Sequence, residues 1–122
     1  MTLNARLATV VEAARSKKAL HIRLVDVKDI ASFTDTFAFM CGTSDRQNRA
    51  IADAVEDQLR LAGERIISME GTQTGQWILL DYGDLVVHVM DEETRHHYNL
   101  EALWKEGREL ELPPETHPAG QF

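Results

Sequence analysis

The sequence predicts an α/β domain: a single mixed sheet of about five strands with helices on its faces. Three observations point there. Apolar residues recur at helical spacing in two long segments, 3–16 and 45–62. Short β-rich runs fill the space between and after them. One of these runs, "DTFAFMCG" at 35–42, is apolar on both faces, as a strand inside a covered sheet must be. The element order reads α-β-β-α-β-β-β-α, an arrangement that layers helices on a sheet.

The elements follow in turn. Leu3, Leu7, Val10, Val11 and Ala14 line one side of a helix over 3–16, and Lys17 and Lys18 sit at its negative end. "LHIRLVDV", 20–27, alternates imperfectly as a strand, and "KDIASFTD" reads as a loop or the start of the next strand. In 35–42, Phe37, Phe39 and Cys41 point one way, Ala38 and Met40 the other. Ser44 with Gln47 three residues on is a capping-box pattern opening the helix at 45–62. That helix carries Ile51, Ala54, Val55, Gln58, Leu59 and Ala62 along one side, and Gly63 ends it. It suits a right-handed crossover between parallel neighbours. "RIISM" is the next strand and "EGTQTG" a turn-rich link. "QWILLD" and "DLVVHVM" are strands joined by a tight turn at Tyr82-Gly83, where glycine accepts a positive φ without strain. "EETRHHYNLEALWKE" closes the fold as one or two short helices, with Tyr98 and Trp104 packing them on the sheet. The domain is expected over residues 1–110. The Pro-rich, apolar-poor segment 111–122 is expected to be a disordered tail.

Composition narrows the function. The chain has 122 residues, 43% of them hydrophobic, which suffices for one domain with its own core. No apolar run reaches the roughly 18–20 residues that cross a bilayer. The N-terminal segment mixes acid and base and lacks the apolar stretch of a signal peptide. Cys41 is the one cysteine, so no intrachain disulfide forms and a cytoplasmic location is the expectation. The net charge of −7 disfavours direct nucleic-acid contact; on its own it reads as an aid to solubility, and it also suits a basic protein partner.

Asp81, Tyr82, Asp84 and His88 cluster in sequence, yet His88 lies about 13 Å beyond Asp84 along an extended strand. A hairpin turn with a histidine in or near the core explains them better than a catalytic group. "GTSD" at 42–45 opens a helix and could bind an anion, the basis for an alternative as a nucleotide-binding enzyme. Nucleotidyltransferase folds also need an Asp-x-Asp pair on the next strand, and "RIISME" has none, so capping accounts for Ser44. The five histidines show no metal-ligand spacing, and no metal or cofactor is expected. Cys41 reads as a small buried side chain. Trp77 is either core, as an indole in an apolar strand, or an anchor for a cationic partner beside acidic residues.

The residues "TGQWILLDYGDLVVHVM" and "TRHHYNLEALW", with "CGTSDRQNRAIAD" upstream, resemble the ribosomal silencing factors, the Iojap family. Gly75, Trp77, Asp81, Tyr82, Gly83, Asp84 and His88 meet one motif; Arg95, Tyr98, Leu100, Glu101, Leu103 and Trp104 a second; Gly42, Ser44, Arg46, Ile51, Ala52 and Asp53 a third. Glu70-Gly71 also fits, while Thr36 and Cys41 depart from the usual pattern. The resemblance spans about residues 3–105. It implies a nucleotidyltransferase-like fold without its catalytic residues, so not an enzyme. It implies binding to the large ribosomal subunit at ribosomal protein uL14, where bulk blocks subunit joining and represses translation under nutrient limitation. It moves Trp77 towards the anchor reading, with Glu70, Asp81, Tyr82 and Asp84 as contact residues around it. A homodimer, formed by some members of that family, is a further expectation from the resemblance.

Overall fold

The computed structural model describes residues 1–114. Ten elements follow in order: α1 (Leu3–Ser16), β1 (Leu20–Asp26), β2 (Thr36–Gly42), α2 (Asp45–Leu61), β3 (Ser68–Glu70), β4 (Trp77–Asp81), β5 (Leu85–Asp91), α3 (Glu92–Tyr98), α4 (Leu100–Leu103) and β6 (Arg108–Leu110). The six strands form one sheet in the order β3-β4-β5-β2-β1-β6. Among the described residues only β2 and β5 pair in parallel, and every other neighbouring pair is antiparallel.

The strand apolar on both faces, β2, lies in the sheet interior, and all seven of its residues are buried. Its partner β5 is buried over six of seven positions. Alternation splits these strands between two cores. Ala38, Met40, Leu85, Val87 and Val89 pack under α1 and α2 with Leu7, Val10, Val11, Ile51, Val55 and Leu59. Phe37, Phe39, Val86 and Met90 face the other way, with Val25 and Val27. Each fully buried apolar side chain contributes roughly 1.5–3 kcal/mol, so the double-sided burial of β2 and β5 carries much of the fold.

Both long helices start as their sequences dictate. Thr2 Oγ1 accepts from Ala5 N at 3.1 Å, and Ser44 Oγ accepts from Gln47 N at 3.0 Å. Gln47 Oε1 reaches back to Thr43 N at 2.6 Å, one residue before the cap, which completes a capping-box arrangement.

Four expectations need correction. First, α2 does not join neighbouring parallel strands. It runs from β2 to β3 at the far edge of the sheet, and the chain returns through β4 before β5 pairs with β2. The hairpin β4–β5 occupies the place next to β2 that a simple crossover would give to β3. Second, the buried side of α2 carries Asn48 and Ala52 beside Ile51, Val55 and Leu59, while Gln58 and Ala62 face solvent. The inward stripe runs through 48, 51, 52, 55 and 59, so the two outer residues fall off its edge. Third, β6 is a sixth strand, antiparallel to β1. Three residues bearing two charges give no periodic signal, and the neighbour's unpaired edge is what orders them. Fourth, the start of the expected tail packs: Leu112 lies against the helix-side core and Pro113 O accepts from Arg15 Nη1 at 2.8 Å. The rest of that segment, 115–122, lies outside the described residues.

Candidate partner-binding site

The two faces of the sheet are unequally covered. Two long helices seal one. The other is covered by Trp104, Ala31 and the short C-terminal helices, of which α3 buries none of its own residues. Toward the β3 edge this second face opens to solvent, and Trp77 stands there, partly buried.

Strand alternation builds the site. Trp77, Leu79 and Asp81 share the open face; Ile78 and Leu80 are fully buried under the helices. Register sets the neighbours. Trp77 pairs with Met90, and Leu79 lies between His88 on β5 and Glu70 on β3. Directly paired residues project to the same side, so Glu70, Leu79 and His88 form a row across the open face. Glu70 is exposed and Asp81 partly so.

The indole has two aromatic neighbours. Its Nε1 donates to His88 Nδ1 at 3.1 Å. Tyr98, at the end of α3, lies against it with ring centroids 5.0 Å apart at 47°. His88 is 5% exposed, stacked on Phe39 at 5.1 Å and edge-on to Phe37. Burial pushes its pKa down to about 4, so it is a neutral ring at physiological pH. An indole N–H only donates, so Nδ1 must accept and the proton sits on Nε2. That Nε2 is buried without a partner. His88 thus serves to orient Trp77 and is poorly placed to take up a proton.

The approach to Trp77 is held from the other side. Asn48 Nδ2 donates to Gly75 O at 2.8 Å, and Arg49 donates from Nε and Nη2 to Thr72 O and Gln73 O, each at 2.7 Å. The loop 71–75 is therefore tied to the first turns of α2. Gly71, at φ +86°, lies so close to the chain that an added Cβ would stand 2.0 Å from Trp77 O.

Two of the residues expected around Trp77 do not share its open face. Tyr82 is only 8% exposed and belongs to the helix-side core; burial pushes its hydroxyl up to about 12. The cause is visible in the strand, because Ile78, Leu80 and Tyr82 continue one period-two series. Asp84 is turned to α1, where its Oδ2 accepts from Arg6 Nη1 at 2.8 Å. That guanidinium holds the Asp84 carboxyl below the usual carboxylate range. Arg6 Nε also lies 2.8 Å from Glu64 Oε1. Asp84 O accepts from both Asp35 N and Thr36 N, so this residue fastens the turn to α1 and β2. Asp81 stays on the open face, and one of its carboxylate oxygens accepts from Gly83 N at 2.8 Å to close the turn.

Tyr98 was expected to pack the last helix down and instead is 54% exposed. A signal existed: α3 begins with two acids and ends with Arg95, His96 and His97, so its own helix offers Tyr98 no apolar stripe to join. Phe33, 63% exposed beside Phe37 and Trp104, adds a second exposed aromatic near the open face.

The other candidates are absorbed by structure. Ser44 Oγ is spent on its cap. Cys41 is fully buried, its thiol pushed up by burial, with Arg95 Nη1 3.3 Å from the sulfur. Among the described residues no group of three or more His, Cys, Asp or Glu side chains could hold a metal ion, and no helix is long and apolar enough to cross a membrane.

Comparison with known proteins agrees with the motifs. The family model described as "Ribosomal silencing factor during starvation" matches residues 1–121. The ribosomal silencing factor RsfS of Bacillus subtilis is 39% identical over 98 residues, 80% of this chain and 83% of that protein. The mouse protein named "Mitochondrial assembly of ribosomal large subunit protein 1" is 31% identical over 98 residues, 78% of this chain and 43% of its own length. A crystal structure of a Chromobacterium violaceum protein superposes with a TM-score of 0.84 at 32% identity, covering 99% of this chain and 98% of that one. With a family model covering nearly every residue and a bacterial relative matched over most of both chains, this chain belongs to the ribosomal silencing factor family.

Proposed function

We propose that this protein binds the large ribosomal subunit through ribosomal protein uL14 and, by its bulk, blocks joining of the small subunit, lowering translation when nutrients are scarce. The observation that carries the reading is the partly buried indole of Trp77 on the open face, against the Tyr98 ring, with Glu70 in the row beside Leu79 and Asp81 further along the same face of β4. An aromatic anchor with carboxylates nearby suits a surface rich in Lys and Arg. The net charge of −7 steers the chain towards such a surface and away from bare RNA. Membership of the family and the large-subunit wording in the mouse relative's name support the choice of subunit. The mechanism is steric and has no covalent step, so the protein acts as a cytoplasmic regulator and not as an enzyme. Trp77, Glu70 and Asp81 carry the contact, joined by Tyr98; Tyr82 packs beneath in the helix-side core, and Asp84 fastens the neighbouring turn to α1.

The test is co-sedimentation with purified large subunits. Trp77→Ala and Asp81→Lys should each reduce co-migration by at least about tenfold in affinity, the loss of a central contact. Rising salt should weaken the unmodified protein as well, since exposed charges are screened. Unchanged co-migration of both folded variants would refute the assignment. Retained co-migration without loss of subunit joining would refute the steric mechanism.

A further inference from the structure

The seven-residue helix α3 carries Tyr98 yet buries none of its own side chains. Apolar packing therefore does little to hold it, and a chain of charges takes that role. Arg95 grips Glu101 with both arms of its fork, Nε to Oε1 at 2.6 Å and Nη2 to Oε2 at 3.0 Å. Its Nη1 also donates to His21 O at 2.6 Å, tying the helix to the irregular start of β1. Glu101 is shared with Arg23 on β1, and Arg23 continues to Glu109 on β6 with Nε to Oε1 at 3.0 Å. Arg95 and Glu101 side chains are only 11% and 19% exposed, so water screens this pair far less than an ordinary surface pair. The two guanidinium groups, Arg95 foremost, hold the Glu101 carboxyl down at about 2.

We propose that Arg95 and Glu101 are positioning residues for the contact face: their ion pair, extended to Arg23, keeps the Tyr98 ring over the Trp77 indole. Without it the helix end is free to swing, and the anchor loses its aromatic wall. The consequence for ribosome binding rests on the function proposed above; the positioning itself does not, and can be measured on the isolated protein.

The chain has two tryptophans, so a Trp104→Phe background leaves Trp77 as the only indole. In that background Tyr98→Ala should raise acrylamide quenching of Trp77 and shift its emission to the red. Glu101→Gln, which keeps size and removes the charge, should reproduce both changes, and Tyr98→Ala added to it should contribute little more. Arg95→Lys, which keeps the charge but loses the fork, should give the same signature and serves if Glu101→Gln does not fold. Both variants should lose about tenfold in large-subunit affinity. Quenching at the parent level in a folded Glu101→Gln or Arg95→Lys protein would overturn the positioning role. Changed quenching with no ribosome binding by the parent would uphold that role and overturn the proposed function instead.

Discussion

The indole nitrogen of Trp77 donates a 3.1 Å hydrogen bond to Nδ1 of a histidine, His88, that is 5% exposed. This bond joins the partly buried indole of the site to the interior. It sets the ring plane of the indole, fixes the proton on the far nitrogen of the imidazole, and requires the histidine to stay neutral. Protonated, His88 would have no acceptor left for Trp77 and would carry a charge between Phe37 and Phe39.

This coupling predicts a pH dependence. The folded pKa of His88, about 4, lies below its ordinary value of 6.5. Between those values the unfolded chain binds the proton that the folded chain excludes, so stability rises with pH across this window and falls as pH drops from 6.5 towards 4. The full effect is on the order of 3 kcal/mol. Urea unfolding at pH 7 and pH 5 should show the loss, and His88→Phe should flatten it. The comparison is best kept above 4.5, because below that value Glu101 adds its own acid-side loss: the unfolded chain's carboxyl takes up a proton that the folded one, held down at about 2, still excludes.

Tyr82 predicts a contrast with Trp77. Its hydroxyl is buried without a partner, so Tyr82→Phe removes an unsatisfied group from a core and leaves the ring packing intact. Stability should be unchanged or rise by up to about 1 kcal/mol, because an unpaired buried hydroxyl is a cost and not a contact. Large-subunit binding should also be unchanged. A clear loss of binding would return Tyr82 to the contact surface.

Arg6 and Asp84 predict an asymmetric effect on stability. Arg6 is 8% exposed in its side chain and bridges Glu64 and Asp84, whose side chains are 25% and 52% exposed. Arg6→Met strands two carboxylates, one of them partly buried, and should cost about 1–3 kcal/mol. Asp84→Asn removes a partner that water already screens and should cost under about 1 kcal/mol. Chemical denaturation of the two variants would test the ordering.

Gly71 predicts a route from backbone to site. Alanine there meets both a positive φ of 86° and the Trp77 carbonyl. The left-handed conformation alone costs about 1 kcal/mol for a non-glycine residue, and the clash adds to it. Gly71→Ala should therefore lower thermal stability and shift the fluorescence of Trp77. Gly63→Ala, where nothing lies within 4 Å, should show the backbone cost without the spectral change.

Much of the molecule was legible in its sequence because periodicity reports burial. The two helices, the doubly buried β2 and the alternation that puts Trp77, Leu79 and Asp81 on one face all follow from spacing. The family follows from the spacing of its motifs along the chain. Tertiary structure alone decided what depends on residues far apart meeting. Asp84 lies three residues from Asp81, yet Arg6, 78 positions away, turns it towards α1. Tyr98 gains its place over Trp77 from a helix held by Arg95, Glu101 and Arg23. The strand β6 exists because β1 offers it an edge. Local sequence sets which face a side chain points to through the fixed geometry of strand and helix. It does not carry the long-range charge pairing that decides which of those side chains is left free for a partner.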